Sequence, residues 1–111
     1  MEANRGEIWL VDLNPGDDQA PLNAGPALVV SDDMFNRSLA EMVIILPLTS
    51  VHKGIPTHVE LKTDFLDGTG YVKCEDIRPV STKRLVRRIG QVDGQVMKLV
   101  EERLKLLLGL A

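Results

Sequence analysis

At 111 residues, 44% of them apolar, the chain has room for one domain with one core and is too apolar for a disordered tail. Its formal charge of −3, from 13 Lys+Arg against 16 Asp+Glu, excludes a protein that holds long nucleic acid by overall charge, so any RNA site must be local. The few aromatic residues, Trp9, Phe35, Phe65 and Tyr71, imply an aliphatic core and exclude a broad stacking platform for bases.

Cys74 is the lone cysteine, so no intrachain disulfide can form, which fits a reducing compartment. Met1 is followed by Glu2-Ala3-Asn4-Arg5 with no apolar signal segment behind it. The longest apolar run, from Met42 to Leu48, contains Pro47 and is far too short to span a bilayer. A soluble, cytoplasmic protein with no membrane partner is the expectation.

In chain order, Ile8-Trp9-Leu10-Val11-Asp12-Leu13 predicts a strand stopped by Asn14-Pro15-Gly16. A polar loop from Asp17 to Gly25 leads to a second strand, Ala27-Leu28-Val29-Val30-Ser31, apolar enough to be buried on both faces. Asp32 is placed to cap one helical turn through Asn36. Met42 to Leu48 forms a third strand ending at Thr49, and His58-Val59-Glu60-Leu61 a fourth, with Val59 and Leu61 inward and His58 outward. After the turn residues Asp67-Gly68-Thr69-Gly70 comes a short fifth strand, Tyr71-Val72-Lys73-Cys74. Ser81 can cap a turn through Leu85, and Ile89-Gly90-Gln91-Val92 reads as a closing strand. The run Lys83-Arg84-Leu85-Val86-Arg87-Arg88 reads as a solvated turn rather than a nucleic-acid patch. The last element is a helix: Asp93 is its N-cap, Val96, Leu99, Val100, Leu104, Leu107 and Leu108 form one stripe, and Gly109 ends it. Glu101 and Lys105, four apart, stand in the favourable order of charges. Short strands closed by one helix give an α+β, mainly β, small barrel or half-open sheet.

Six segments then carry a resemblance: Arg5 through Pro15, Pro26-Ala27-Leu28-Val29-Val30-Ser31, Pro47-Leu48-Thr49-Ser50, Pro56-Thr57-His58-Val59-Glu60-Leu61, Cys74-Glu75-Asp76-Ile77-Arg78, and Arg84-Leu85 with Ile89-Gly90. In this order and at these separations the chain resembles the MazF/PemK/Kid family of toxin ribonucleases over nearly its whole length. The resemblance implies one toxin domain over residues 1–111, an SH3-like (CcdB/Kid-type) barrel with a C-terminal helix, paired as a homodimer. It also implies sequence-specific cutting of single-stranded RNA without a metal or cofactor, and a cognate MazE-like antitoxin whose tail occupies the RNA groove.

Metal-free RNA cleavage uses the 2′-hydroxyl as nucleophile, so a base, a charge-stabilising group and an acid are needed. Thr49 ends a buried strand, where a side chain is held rigidly, and matches a family threonine carried as a catalytic or phosphate-binding residue. A β-branched residue also simply suits a strand end. Glu75 matches an acidic general base of a related toxin, a role that a pKa raised by partial burial would suit; an ordinary salt bridge to Lys73 or Arg78 is the alternative. Lys73 matches that toxin's catalytic cation, or is a solvated strand lysine without the bidentate fork of arginine. Arg78 reads as structural, its fork bridging a carboxylate and backbone carbonyls. Ser50 and Lys53, beside and beyond Thr49, are RNA-binding candidates, with Lys53 and Gly54 on the lip of the groove. His52 reads as a loop residue, His58 has no role, and the histidines and cysteine lack metal-ligand spacing.

The sequence departs from the family in the first loop. Members commonly carry Gly-x-Glu-Gln there and an arginine, a principal catalytic cation, directly before the proline of strand two. Here the stretch reads Asp17-Asp18-Gln19-Ala20-Pro21-Leu22-Asn23-Ala24-Gly25-Pro26, at the usual length, with Gly25 in the arginine's place. Three readings follow: Lys73 or Lys53 supplies the charge, the toxin is disarmed by substitution, or the chain keeps the fold and binds antitoxin or RNA without cutting. A gyrase poison of CcdB type is disfavoured by the ending Leu108-Gly109-Leu110-Ala111, which lacks the tryptophan such proteins use.

Overall fold

The computed structural model describes residues 2–13, 24–64 and 68–110. The strand-stopping Asn14-Pro15-Gly16, the loop from Asp17 to Asn23, and Phe65 and Asp67 lie outside the described residues. The elements are β1 (Glu7–Asp12), β2 (Ala24–Val29), α1 (Asp33–Asn36), β3 (Met42–Thr49), β4 (His58–Thr63), β5 (Gly68–Lys73), β6 (Arg78–Ser81), β7 (Leu85–Gln91) and α2 (Gly94–Leu108). The predicted strands are all present, though β2 begins at Ala24, inside the stretch read as loop. The capping assignments follow the side-chain chemistry: the Asp32 carboxylate accepts from the Met34 N–H, and the Ser81 hydroxyl from that of Lys83.

All pairings are antiparallel, in the order β4-β5-β3-β2-β1-β7. β6 was not foreseen. It runs along β3, pairing Met42–Ile45, while β5 pairs Leu48 and Thr49 further on. A 3₁₀ turn, Cys74–Asp76, breaks what would otherwise be one strand. The sheet does not close: a cleft of about 580 Å³ opens between β4 and β7, over Ile8, Leu61 and Val96. This is the mainly β, half-open barrel of α+β class with a C-terminal helix.

The single core expected from chain length is divided into two clusters, because the central strands are buried on both sides. Strand side chains alternate between faces. On one face Ile8, Leu28, Val30, Leu46 and Leu48 meet Val59, Leu61, Val72, Cys74 and Val100. On the other, Trp9, Val11, Ala27, Val29, Val43 and Ile45 meet Val80 and Leu85. The continuous apolar run of β2 thus serves two cores, as expected of a strand with no wet face.

α2 starts where the Asp93 carboxylate accepts from the Val96 N–H at 2.9 Å. It ends at Gly109, whose φ of 69° favours glycine, with Leu110 N–H returning to the Lys105 carbonyl at 2.8 Å. Val100 is fully buried, and Val96, Met97 and Leu104 pack beside it. The rest of the predicted stripe does not reach the sheet: Leu107 and Leu108 are exposed, as are Leu106 and Leu110. Glu101 pairs with Arg5 at 2.7 Å rather than with Lys105, tying the helix to the start of β1. Arg103 Nε donates to the Pro56 carbonyl at 2.8 Å, tying the same helix to the loop between β3 and β4.

Candidate active site

The candidate residues meet on the face of β3, β4 and β5 that turns away from the Val59–Leu61–Val72 cluster. Directly paired antiparallel residues share a face, with Cβ atoms about 5 Å apart. Thr49 pairs with Tyr71, and Tyr71 with Glu60, so these three form one row. Lys73, two residues from Tyr71, shares that face and pairs with His58 in the next row. Gly25 pairs with Val11 of β1 and lies on β2, two residues before Ala27, where the pairing of β2 with β3 begins at Pro47. The place of the missing arginine is thus on the strand next to the one that carries Thr49. A Cβ built on Gly25 would stand 3.2 Å from the flexible end of Leu13.

Thr49 is half-buried, and its Oγ1 accepts from the Val51 N–H at 3.1 Å, which fixes the rotamer and leaves the hydroxyl proton to donate. Ser50 and Lys53 are exposed in the following loop. The loop turns back so that the His52 ring lies 5.2 Å from the Tyr71 ring, tilted by 41°. A cleft of about 160 Å³ opens there, lined by His52, Gly54, Ile55, His58, Glu60 and Tyr71. The larger cleft between β4 and β7 holds none of the predicted site residues.

Two expectations about Glu75 are corrected. Its partners are not Lys73 and Arg78, which both turn to Asp76, at 3.5 and 2.9 Å. Instead Thr57 Oγ1 donates to Glu75 Oε1 at 2.8 Å, and His58 Nε2 lies 2.8 Å from Oε2. Nor is its pKa raised. Partial burial pushes it up, but hydrogen bonds from its own backbone N–H, His58 and Thr57 outweigh that and leave it below the ordinary glutamate value. Glu75 is therefore a held carboxylate at neutral pH. Among the described residues Arg78 has the carboxylate partner expected of it but no carbonyl bond, and its buried Nε has no partner.

His58 is a further correction. Alternation does turn it away from Val59 and Leu61, yet its side chain is only 4% exposed. The turn that carries Glu75 folds back over the outer face at this end of β4, so that outward no longer means wet. Its Nδ1 has no partner among the described residues. The sole thiol is chemically quiet: burial, with the Glu75 carboxylate beside it, pushes Cys74 up to about 11. The basic run is not the solvated turn read from sequence: only Thr82–Arg84 form a turn, and Leu85 to Arg88 belong to β7, with Leu85 buried, Lys83 and Arg87 exposed, and Arg88 paired with Glu7 at 2.8 Å. Among the described residues no three His, Cys, Asp or Glu side chains are grouped to hold a metal. No helix among them is long and apolar enough to cross a membrane.

Residues 4–108 match the model of the PemK-like, MazF-like toxin of type II toxin–antitoxin systems. The chain belongs to this family. It is 37% identical to endoribonuclease MazF9 of Mycobacterium tuberculosis over 113 residues, 96% of either chain. It is 30% identical to endoribonuclease EndoA of Bacillus subtilis over 115 residues, 99% of this chain and 97% of that one. Its fold superposes on a mycobacterial endoribonuclease solved in complex with its cognate antitoxin, at a TM-score of 0.81 and 29% identity, covering 98% and 97% of the two chains.

Within this PemK/MazF-like toxin, His58, Thr57 and Tyr71, which carried no role from sequence, stand against the candidate residues Glu75 and Thr49. Thr57 and His58 depend on Glu75, 18 and 17 residues away. Tyr71 depends on the pairing of β5 with β3. The available signal was the alternation of β4, which puts His58 and Glu60 on one face; which strand lies opposite was not readable.

Proposed function

We propose that this chain is the toxin of a toxin–antitoxin pair, a single-domain, metal-independent endoribonuclease that cuts single-stranded RNA at a short sequence and so blocks translation. The observation that carries the reading is the shared outer face of Thr49, Tyr71 and Lys73, in a chain of this family, with Glu75 held beside it. The 2′-oxygen attacks the adjacent phosphorus, the 2′-O–P bond forms, and the P–O5′ bond breaks. A 2′,3′-cyclic phosphate (or the 3′-phosphate from its hydrolysis) and a 5′-hydroxyl result.

The residues divide the work by chemistry. Glu75, ionised and oriented by Thr57 and His58, takes the 2′-hydroxyl proton. Thr49 donates its free hydroxyl proton to a phosphoryl oxygen. Lys73 supplies the positive charge that Gly25 does not, and the proton for the departing 5′-oxygen. Ser50 and Lys53, exposed and with no side-chain partner among the described residues, hold a neighbouring phosphate. The exposed leucines at the end of α2 support a homodimer. A cognate MazE-like antitoxin and a cytoplasmic setting follow from the family reading.

The test is to incubate the purified, antitoxin-free protein with a long single-stranded RNA in EDTA and map the ends. Discrete cuts with 5′-hydroxyl termini are expected. Intact RNA at high protein concentration, from a chain that still binds antitoxin, overturns the catalytic reading.

A further inference from the structure

The outer-face row ends in a group that catalysis does not use. Glu60 is exposed, and its carboxylate has neither hydrogen bond nor ion pair among the described residues. It lines the 160 Å³ cleft with the Tyr71 and His52 rings, and Tyr71 stands between it and Thr49. Two cross-strand steps of about 5 Å separate Glu60 from Thr49. That separation, about 10 Å in all, is one to two nucleotides of an extended single strand.

We propose that this cleft is a base-reading subsite, which takes a nucleobase bearing an exocyclic amine, cytosine N4 or adenine N6, one or two nucleotides from the cut. The inference rests on the endoribonuclease reading. Tyr71 and His52 offer aromatic surface to the base, a contact that any base can make. Discrimination comes from Glu60. An ionised carboxylate only accepts hydrogen bonds, so it pairs with an amine and repels the keto oxygen that uracil or guanine carries at the corresponding position. The chain's few aromatic residues exclude a long stacking platform but leave this single step. Lys53 in the same loop and Lys73 on the same face offset the repulsion between Glu60 and the RNA phosphates.

The test is the base preference of cleavage in RNA randomised around the cut, for the wild type and for Glu60→Gln. A glutamine amide donates as well as accepts, so the variant's preference for amino over keto bases at one flanking position is expected to fall by at least about tenfold, with cutting retained. Alongside it, the ring protons of Tyr71, the only tyrosine, and of His52 are followed by NMR as cytidine or uridine 5′-monophosphate is added. Shifts with the cytidine nucleotide, weaker with the uridine one, are expected. Unchanged base preference in Glu60→Gln together with silent rings overturns the subsite and leaves the nuclease reading standing. Selective ring shifts in a protein that cuts no RNA overturn the nuclease reading and leave the subsite standing.

Discussion

At the scale of single residues, contacts from neighbouring strands decide the chemistry of the candidate site. Thr49 is a strand end, a local feature fixed by the run before it and the polar residues after it, and it was readable as that. Glu75 was readable as a candidate but not in its surroundings, since Thr57 and His58 reach it from the far side of β5. The sign of its pKa shift depended on those contacts and came out opposite to the expectation from burial alone. The folded-state pKa lies below the ordinary 4.5, so the stabilisation it contributes is fully present above that value and is lost as pH falls through the lower one. The gap in urea midpoint between wild type and Glu75→Gln is therefore expected to be open at pH 7 and to close below pH 4.5. Gly25 makes a second prediction. The position lacks a positive φ, and the nearest obstacle to a Cβ is the end of Leu13, which can move. Gly25→Arg should fold and should raise single-turnover cleavage, by on the order of 10² if the missing cation limits the rate.

At the scale of elements, local chemistry decided what could be foreseen. The start of α2 was fixed by one side chain, Asp93, which satisfies the Val96 N–H, and its end by a glycine able to turn left-handed. Asp93→Ala is expected to lower stability by about 0.5–2 kcal/mol, read as a fall in melting temperature with the fold unchanged. β6 was invisible for the converse reason. Arg78-Pro79-Val80-Ser81 has no strand periodicity of its own, carries a proline, and becomes a strand only because the first half of β3 offers it an edge. The stripe of α2 is helical, as its spacing predicts, and is longer than the sheet it covers. Val96, Val100 and Leu104 cover the sheet, whereas Leu107 and Leu108 extend past it.

At the scale of the whole molecule, the aliphatic composition is explained by two cores back to back on the same three strands. The apolar run of β2 announced burial on both faces, but which residues met on each could not be read without the register. What the cores leave uncovered is the end of α2, where Leu106 is 77% and Leu110 59% exposed. Leu106→Lys is expected to shift the protein from dimer to monomer in light scattering, with the helical signal of each chain kept. The same helix holds the far end of the loop that carries Ser50 and Lys53, through the Arg103 guanidinium on the Pro56 carbonyl. A partner that draws Arg103 to itself frees Pro56. Linked equilibria are reciprocal. If an RNA binds better with Pro56 free, it tightens that partner by the same factor by which the partner tightens the RNA, so the strength of either association becomes a gauge of the other.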